Sequence, residues 1–144
     1  SESQILMEQI GMWVMEGNRV VQLNPATAGV QGIAIYKIPR KTSVENPNGA
    51  EAAEPASKRV IWISASGKKL YTKTEAVADP DSDTTVIASD VDEVQQNLIG
   101  EYVTAFTGTV DEDNPTAVTV SFQMEQLKQN YTIQNVFKLR NILR

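Results

Sequence analysis

Three aspartates alternate with single residues in Asp79-Pro80-Asp81-Ser82-Asp83, and Asp90 follows eleven positions after the first. Carboxylates at positions 1, 3, 5 and 12 of a loop are the donors with which a calcium loop surrounds its ion. Two features depart from that pattern: Thr84 stands where the sharp turn needs glycine, and no helical stretch leads into Asp79. A solvated acidic loop is therefore expected here, with Asp79, Asp81, Asp83 and Asp90 kept as the candidate cation ligands. A second cluster, Asp111-Glu112-Asp113-Asn114, has the composition of a hairpin tip held in water.

Other motifs fall short of their chemistry. Ser66-Gly67-Lys68-Lys69 has the glycine and lysine of a phosphate loop, but Trp62 occupies the position where that loop begins with glycine. Asn130-Tyr131-Thr132 has the pattern of a glycosylation site, which matters only in a secreted chain, and no signal peptide is expected: Glu8, Gly11 and Glu16 interrupt the first apolar residues. Lys128, Lys138, Arg140 and Arg144 could contact phosphates. Twelve acids and no Lys or Arg lie between Thr74 and Glu125, so ion pairing within or between chains is the better expectation for these cations.

The chain has neither cysteine nor histidine. Disulfides and thiolate nucleophiles are thereby excluded, and the commonest general base and commonest transition-metal ligand are missing. With no catalytic constellation among the remaining Asp, Glu, Lys, Tyr, Ser and Thr residues, we expect no enzyme and no cofactor. The net charge of −5 speaks against general nucleic-acid binding, and no apolar run approaches the length of a membrane span. Charge is unevenly distributed: residues 37–73 carry eight basic residues against three acids, and residues 126–144 carry four basic residues and no acid. These blocks are expected first to neutralise one another within one folded monomer; the sharper reading is a molecule with acidic and basic faces, able to recognise copies of itself or a charged partner.

The elements that would position these residues are readable from hydrophobic period and turn chemistry. At 144 residues a single domain is expected over 1–144. Ser3 to Glu16 reads as a helix, with Leu6, Ile10, Trp13 and Val14 on one stripe, three methionines (Met7, Met12, Met15) expected to fill gaps in a core before serving as an adaptable surface, and Gly17 as the stop. Gly11 weakens that helix unless it marks close packing. Arg19–Leu23 and Val30–Ile38 read as strands, the second apolar on both faces and so central in a sheet. Residues 40–57 form the long irregular stretch, with two prolines and an Asn48-Gly49 turn.

Lys58–Ala76 reads as a hairpin turning at Gly67, with Ile63 opposite Leu70 and Trp62 opposite Tyr71. A short strand is expected at Thr84–Ala88. A compact helix is expected over about 90–99, capped by Asp90 and Glu93 and buried through Val91, Val94, Leu98 and Ile99. Glu101 to Met124 then has the strongest period-two pattern in the chain, even positions apolar on both sides of a polar turn, and its symmetric register sets Phe106 opposite Phe122. Tyr131–Arg144 suits either a strand or a helix; its β-branched and aromatic content favours the strand.

Together these readings predict an α+β fold: a mostly antiparallel sheet of about seven short strands, with helices near 3–16 and 90–99 packed on it. The expected function is a non-enzymatic structural or assembly subunit acting by self-association, foremost a virion component of tail, connector or capsid-associated type. A monomeric adaptor or inhibitor that binds one partner protein and a weak calcium-binding module are the alternatives. Partners would be further copies or other subunits, with no membrane and no nucleic acid, in a virion or in cytoplasm. Candidate contact residues are Val103, Ala105, Thr107, Thr119 and Ser121 on the small, uncharged odd face of the 101–124 hairpin. Trp62, Tyr71 and the basic Lys138, Arg140 and Arg144 complete the set.

Overall fold

A computed structural model describes residues 2–39, 55–64 and 66–140. Helix α1, Glu2–Glu16, opens the chain, followed by β1 (Arg19–Gln22), the one-turn helix α2 (Pro25–Ala28) and β2 (Gly32–Lys37). Strands β3 (Ala56–Ile63), β4 (Lys68–Val77), β5 (Leu98–Val110), β6 (Ala117–Gln126) and β7 (Gln129–Lys138) complete one antiparallel sheet, in which every strand pairs with its sequence neighbour. The α+β architecture is the one the sequence predicts. Residues 40–54 of the expected loop lie outside the described residues, and β3 takes up the end of that stretch from Ala56.

The sheet bends over itself, so β5 crosses close to β1, β2 and β3. Gly108 is the point of nearest approach: a Cβ there would stand 2.2 Å from Ile33 Cγ2. The concave side holds the main core, built on Ile33, Ile61, Leu70, Phe106, Phe122 and neighbours, and α1 closes it with Leu6, Met7, Ile10 and Val14. Gly11 lets α1 settle on β7, since a Cβ would fall 2.2 Å from the ring of Phe137. The C-terminal end of α1 and the residues just after it are tied to the segment following β7 and to β2. The Arg140 N–H donates to Met15 O at 2.9 Å, and the Asn18 N–H donates to Tyr36 O at 2.8 Å.

The convex side of β2–β4 carries a second core of Ala34, Tyr36, Val60, Trp62 and Tyr71, capped by α2 and by a strap over residues 78–97 that contributes Ile87. Asn24 caps α2 through its side chain, and Gly29, at φ 85°, ends it. In this strap the expectation and the structure part. Thr84–Ala88 joins no ladder; its polar groups serve Lys58 and Ala28 instead. The helix expected over 90–99 is reduced to a 3₁₀ turn at Gln95–Asn97. Leu98 and Gly100 are claimed by pairing with Tyr71 and Leu70 of β4, and Asp92 is held by Lys73. Too few residues remain to repay helix nucleation, and Val91 is exposed.

Candidate assembly surface and other candidate sites

β6 and β7 form a regular ladder of ten residue pairs, from Gln126–Gln129 at the turn to Ala117–Lys138, without a bulge. The turn is Leu127-Lys128, with φ of 51° and 64°. Two positive φ values fit a two-residue hairpin of the type that normally takes Asn-Gly. Leu127 is 91% exposed at this tip. Beyond β7 there is no eighth strand among the described residues. Backbone groups in an antiparallel strand face the two neighbours alternately. The Leu139 N–H donates to Thr116 O beside β6, so the odd residues face inward and the even ones outward. The outward row is Asn130, Thr132, Gln134, Val136 and Lys138. The Val136 N–H donates to the side chain of its own neighbour, Asn135 Oδ1, at 2.8 Å.

The side chains of β7 match this edge position. Tyr131, Ile133 and Phe137 lie on the concave side with Met124, Phe122 and Val118, yet Tyr131 is exposed and the other two are only half-buried. Val136, on the convex side, is 54% exposed. No charged residue occurs from Gln129 to Phe137. The strand reading of 131–144 holds through Lys138, and Lys138 and Arg140 are exposed at the end of the edge. Arg144 lies outside the described residues.

The face proposed on the 101–124 hairpin is present in part. Ala105, Thr107, Thr119 and Ser121 are half-buried on the convex side of β5 and β6, with Thr107 opposite Ser121. Val103 does not belong with them: it is fully buried in the main core. The cause is a bulge. Val103 pairs with Met124 but Ala105 with Gln123, so Thr104 is one residue too many and the in–out parity reverses below it. Tyr102, which even parity placed in the core, is 62% exposed with φ 62°. Phe106 and Phe122 stand opposite each other as expected, above the bulge.

Trp62 and Tyr71 also leave the list of contact residues. They pair across β3 and β4 and stack at 5.8 Å between ring centroids, but beneath the strap, where both are buried. Their role is the convex core.

The acidic loop is spent on the protein itself. Asp83 Oδ2 accepts from Lys58 Nζ at 2.7 Å and from the Tyr36 hydroxyl at 2.7 Å. Asp79 accepts from the Asp81 N–H and the Ser82 hydroxyl, and Asp81 faces Arg19 at 3.7 Å. Asp90 stands apart in the 88–92 turn. Among the described residues no group of three or more carboxylates is arranged to hold a metal ion.

What sequence reasoning missed is the latch these residues form. Lys58 is 3% exposed and meets Asp83, Thr85 Oγ1 at 2.9 Å, Thr84 O at 3.3 Å and Glu75 at 3.7 Å. Lys73 bridges Glu75 at 2.7 Å and Asp92 at 3.0 Å. Burial raises the Tyr36 hydroxyl to about 12, helped by its bond to Asp83. Burial would raise Asp83, but the Lys58 and Tyr36 bonds outweigh it and hold the carboxyl below its ordinary value. Burial would also raise Asp92, and the Ala88 N–H and Lys73 lower it on balance. Each shift keeps its group in the state that holds the strap down, as a structural ion cluster requires. A period-two pattern gives no sign of a buried lysine whose partner lies 25 residues away.

One cleft of about 400 Å³ opens between the first half of α1 and the start of β5, lined by Ile5, Gln9, Ile99, Glu101 and Met124 among others. Its polar groups are carboxylates, amides and backbone, with no Lys, Arg, Ser or Thr. No described helix is long and apolar enough to cross a membrane. No family model, curated protein or solved structure matches the chain.

Proposed function

We propose that this chain is a structural assembly subunit that works by associating with copies of itself and performs no catalysis. The observation that carries this reading is the open edge of β7. Soluble sheets blunt their edges with short strands, charges, prolines, bulges or a covering element. From Gln129 to Phe137 β7 carries no charge, proline or bulge, and among the described residues no strand pairs with its outer edge. A strand of that kind is a template for another strand. The setting we infer is a virion, with the chain as a tail, connector or capsid-associated subunit, where one small chain repeats many times in symmetry.

Size exclusion with light scattering, followed by negative-stain microscopy, tests the proposal. A discrete oligomer, ring or filament is the expected result. A strict monomer at high micromolar concentration and low salt would remove the reading. An adaptor that binds one partner protein is the second reading, and exposed Ile5 and Met12 on α1 favour it. A pull-down that recovers a single stoichiometric partner, without self-association, would select it.

A further inference from the structure

We infer that the occupant of the β7 edge is β7 of a second copy, paired antiparallel about a two-fold axis at Gln134; this inference rests on the self-association proposed above. The strand is complementary to itself in that register. On the concave side Tyr131 meets Phe137 of the other copy, twice over, and Ile133 meets Asn135. On the convex side Thr132 meets Val136, again twice, and Gln134 meets Gln134. Aromatic and β-branched pairs of this kind are the ones that stabilise sheets. The apolar members are the side chains that the single chain leaves exposed or half-covered. A bound strand would cover Tyr131, Ile133 and Val136 as β6 covers its own neighbours.

Backbone and charge agree with the same arrangement. The outward groups of Thr132, Gln134 and Val136 find ladder partners, which releases the Val136 N–H from its bond to the Asn135 side chain. No charge lies between Gln129 and Phe137 to repel its counterpart. The like-charged residues that this register sets opposite each other, Lys128 and Arg140, lie beyond the uncharged stretch, at either end of the ladder. The resulting dimer is one continuous sheet running through both copies, in closed two-fold symmetry.

The test compares the full chain with Gln134→Pro and Gln134→Lys by sedimentation velocity across a concentration series, with circular dichroism and thermal melting as the fold control. Proline at 134 removes an N–H that β6 does not use, so the chain should fold normally. It cuts two bonds at the dyad, and about a hundredfold weaker association follows at roughly tenfold per backbone bond. Gln134→Lys sets like charges face to face and should act in the same direction. If the parent chain associates and both folded variants associate equally well, the edge pairing is wrong while self-association stands. If the parent chain is monomeric, both readings fall. Gln134→Cys covers the case in which the other variants misfold. The chain has no cysteine of its own, and hydrogen-bonded pairs lie about 5.5 Å apart at Cα, within disulfide reach. Mild oxidation should then give a covalent dimer, and its absence would overturn the pairing.

Discussion

Replacing Lys58 with methionine should loosen the strap and change the acid stability of the protein. Lys58 Nζ is the hub of the latch, within 3.3 Å of Asp83, Thr84 O and Thr85. Removing one partner of a fully buried ion pair costs about 3–5 kcal/mol. Asp83 keeps 19% of its side-chain surface in water, so the stranded carboxylate can be hydrated or take up a proton. We therefore expect about 2–4 kcal/mol, which at roughly 3 °C per kcal/mol for a chain of this size lowers Tm by about 6–12 °C. The pH dependence supplies the sharper signature. The folded carboxyl of Asp83 lies below its ordinary value, so its contribution is present above the unfolded pKa of about 3.9 and fades as pH falls through the folded value. In Lys58→Met that contribution is lost, and the drop in stability toward pH 3 should be shallower than in the parent chain. Denaturant titrations at pH 3, 5 and 7 measure both effects. The double variant Lys58→Met/Asp83→Leu should recover part of the loss, because no charge is left uncompensated. A cost of Lys58→Met below about 0.5 kcal/mol, within the range of ordinary surface changes, would refute the latch.

Gly108→Ala should destabilise by about 1–3 kcal/mol despite the better strand propensity of alanine, since its methyl group meets the fully buried Ile33; chemical denaturation of the variant checks it. Replacing Leu127-Lys128 with Asn-Gly should stabilise the monomer by about 1–2 kcal/mol by relieving two left-handed residues, read as a higher midpoint in urea. Tyr36→Phe should flatten the alkaline limb of the stability curve. The hydroxyl is raised to about 12 in the folded chain, so the parent loses its contribution as pH rises from about 10 through that value.

Period and turn chemistry made most of the fold readable in advance. The Phe106–Phe122, Trp62–Tyr71 and Ile63–Leu70 pairs follow from alternation around polar turns, and all three are in register. Gly11 reads as a flaw in a helix until Phe137 is seen to occupy its space. The misses share one cause, namely that tertiary partners overrode local pattern. The extra residue at Thr104 reverses parity, sending Val103 inward and Tyr102 outward, and nothing in the local residue types marks it. The 90–99 segment has the caps and apolar spacing of a helix, but Lys73 and β4 take up the groups a helix would need. For the contact surface, the sequence pointed to flat uncharged hairpins, and Thr107, Thr119 and Ser121 do lie on such a face. The more open feature is β7, whose edge position depends on the order of strands and not on its own residues.

The mass of the full chain in solution, measured over a concentration series beside Gln134→Pro, bears most directly on the central claim. The account predicts association of the parent chain, with two copies as the first step, and a folded monomer for the variant. A parent chain that stays monomeric at high micromolar concentration and low salt would contradict it.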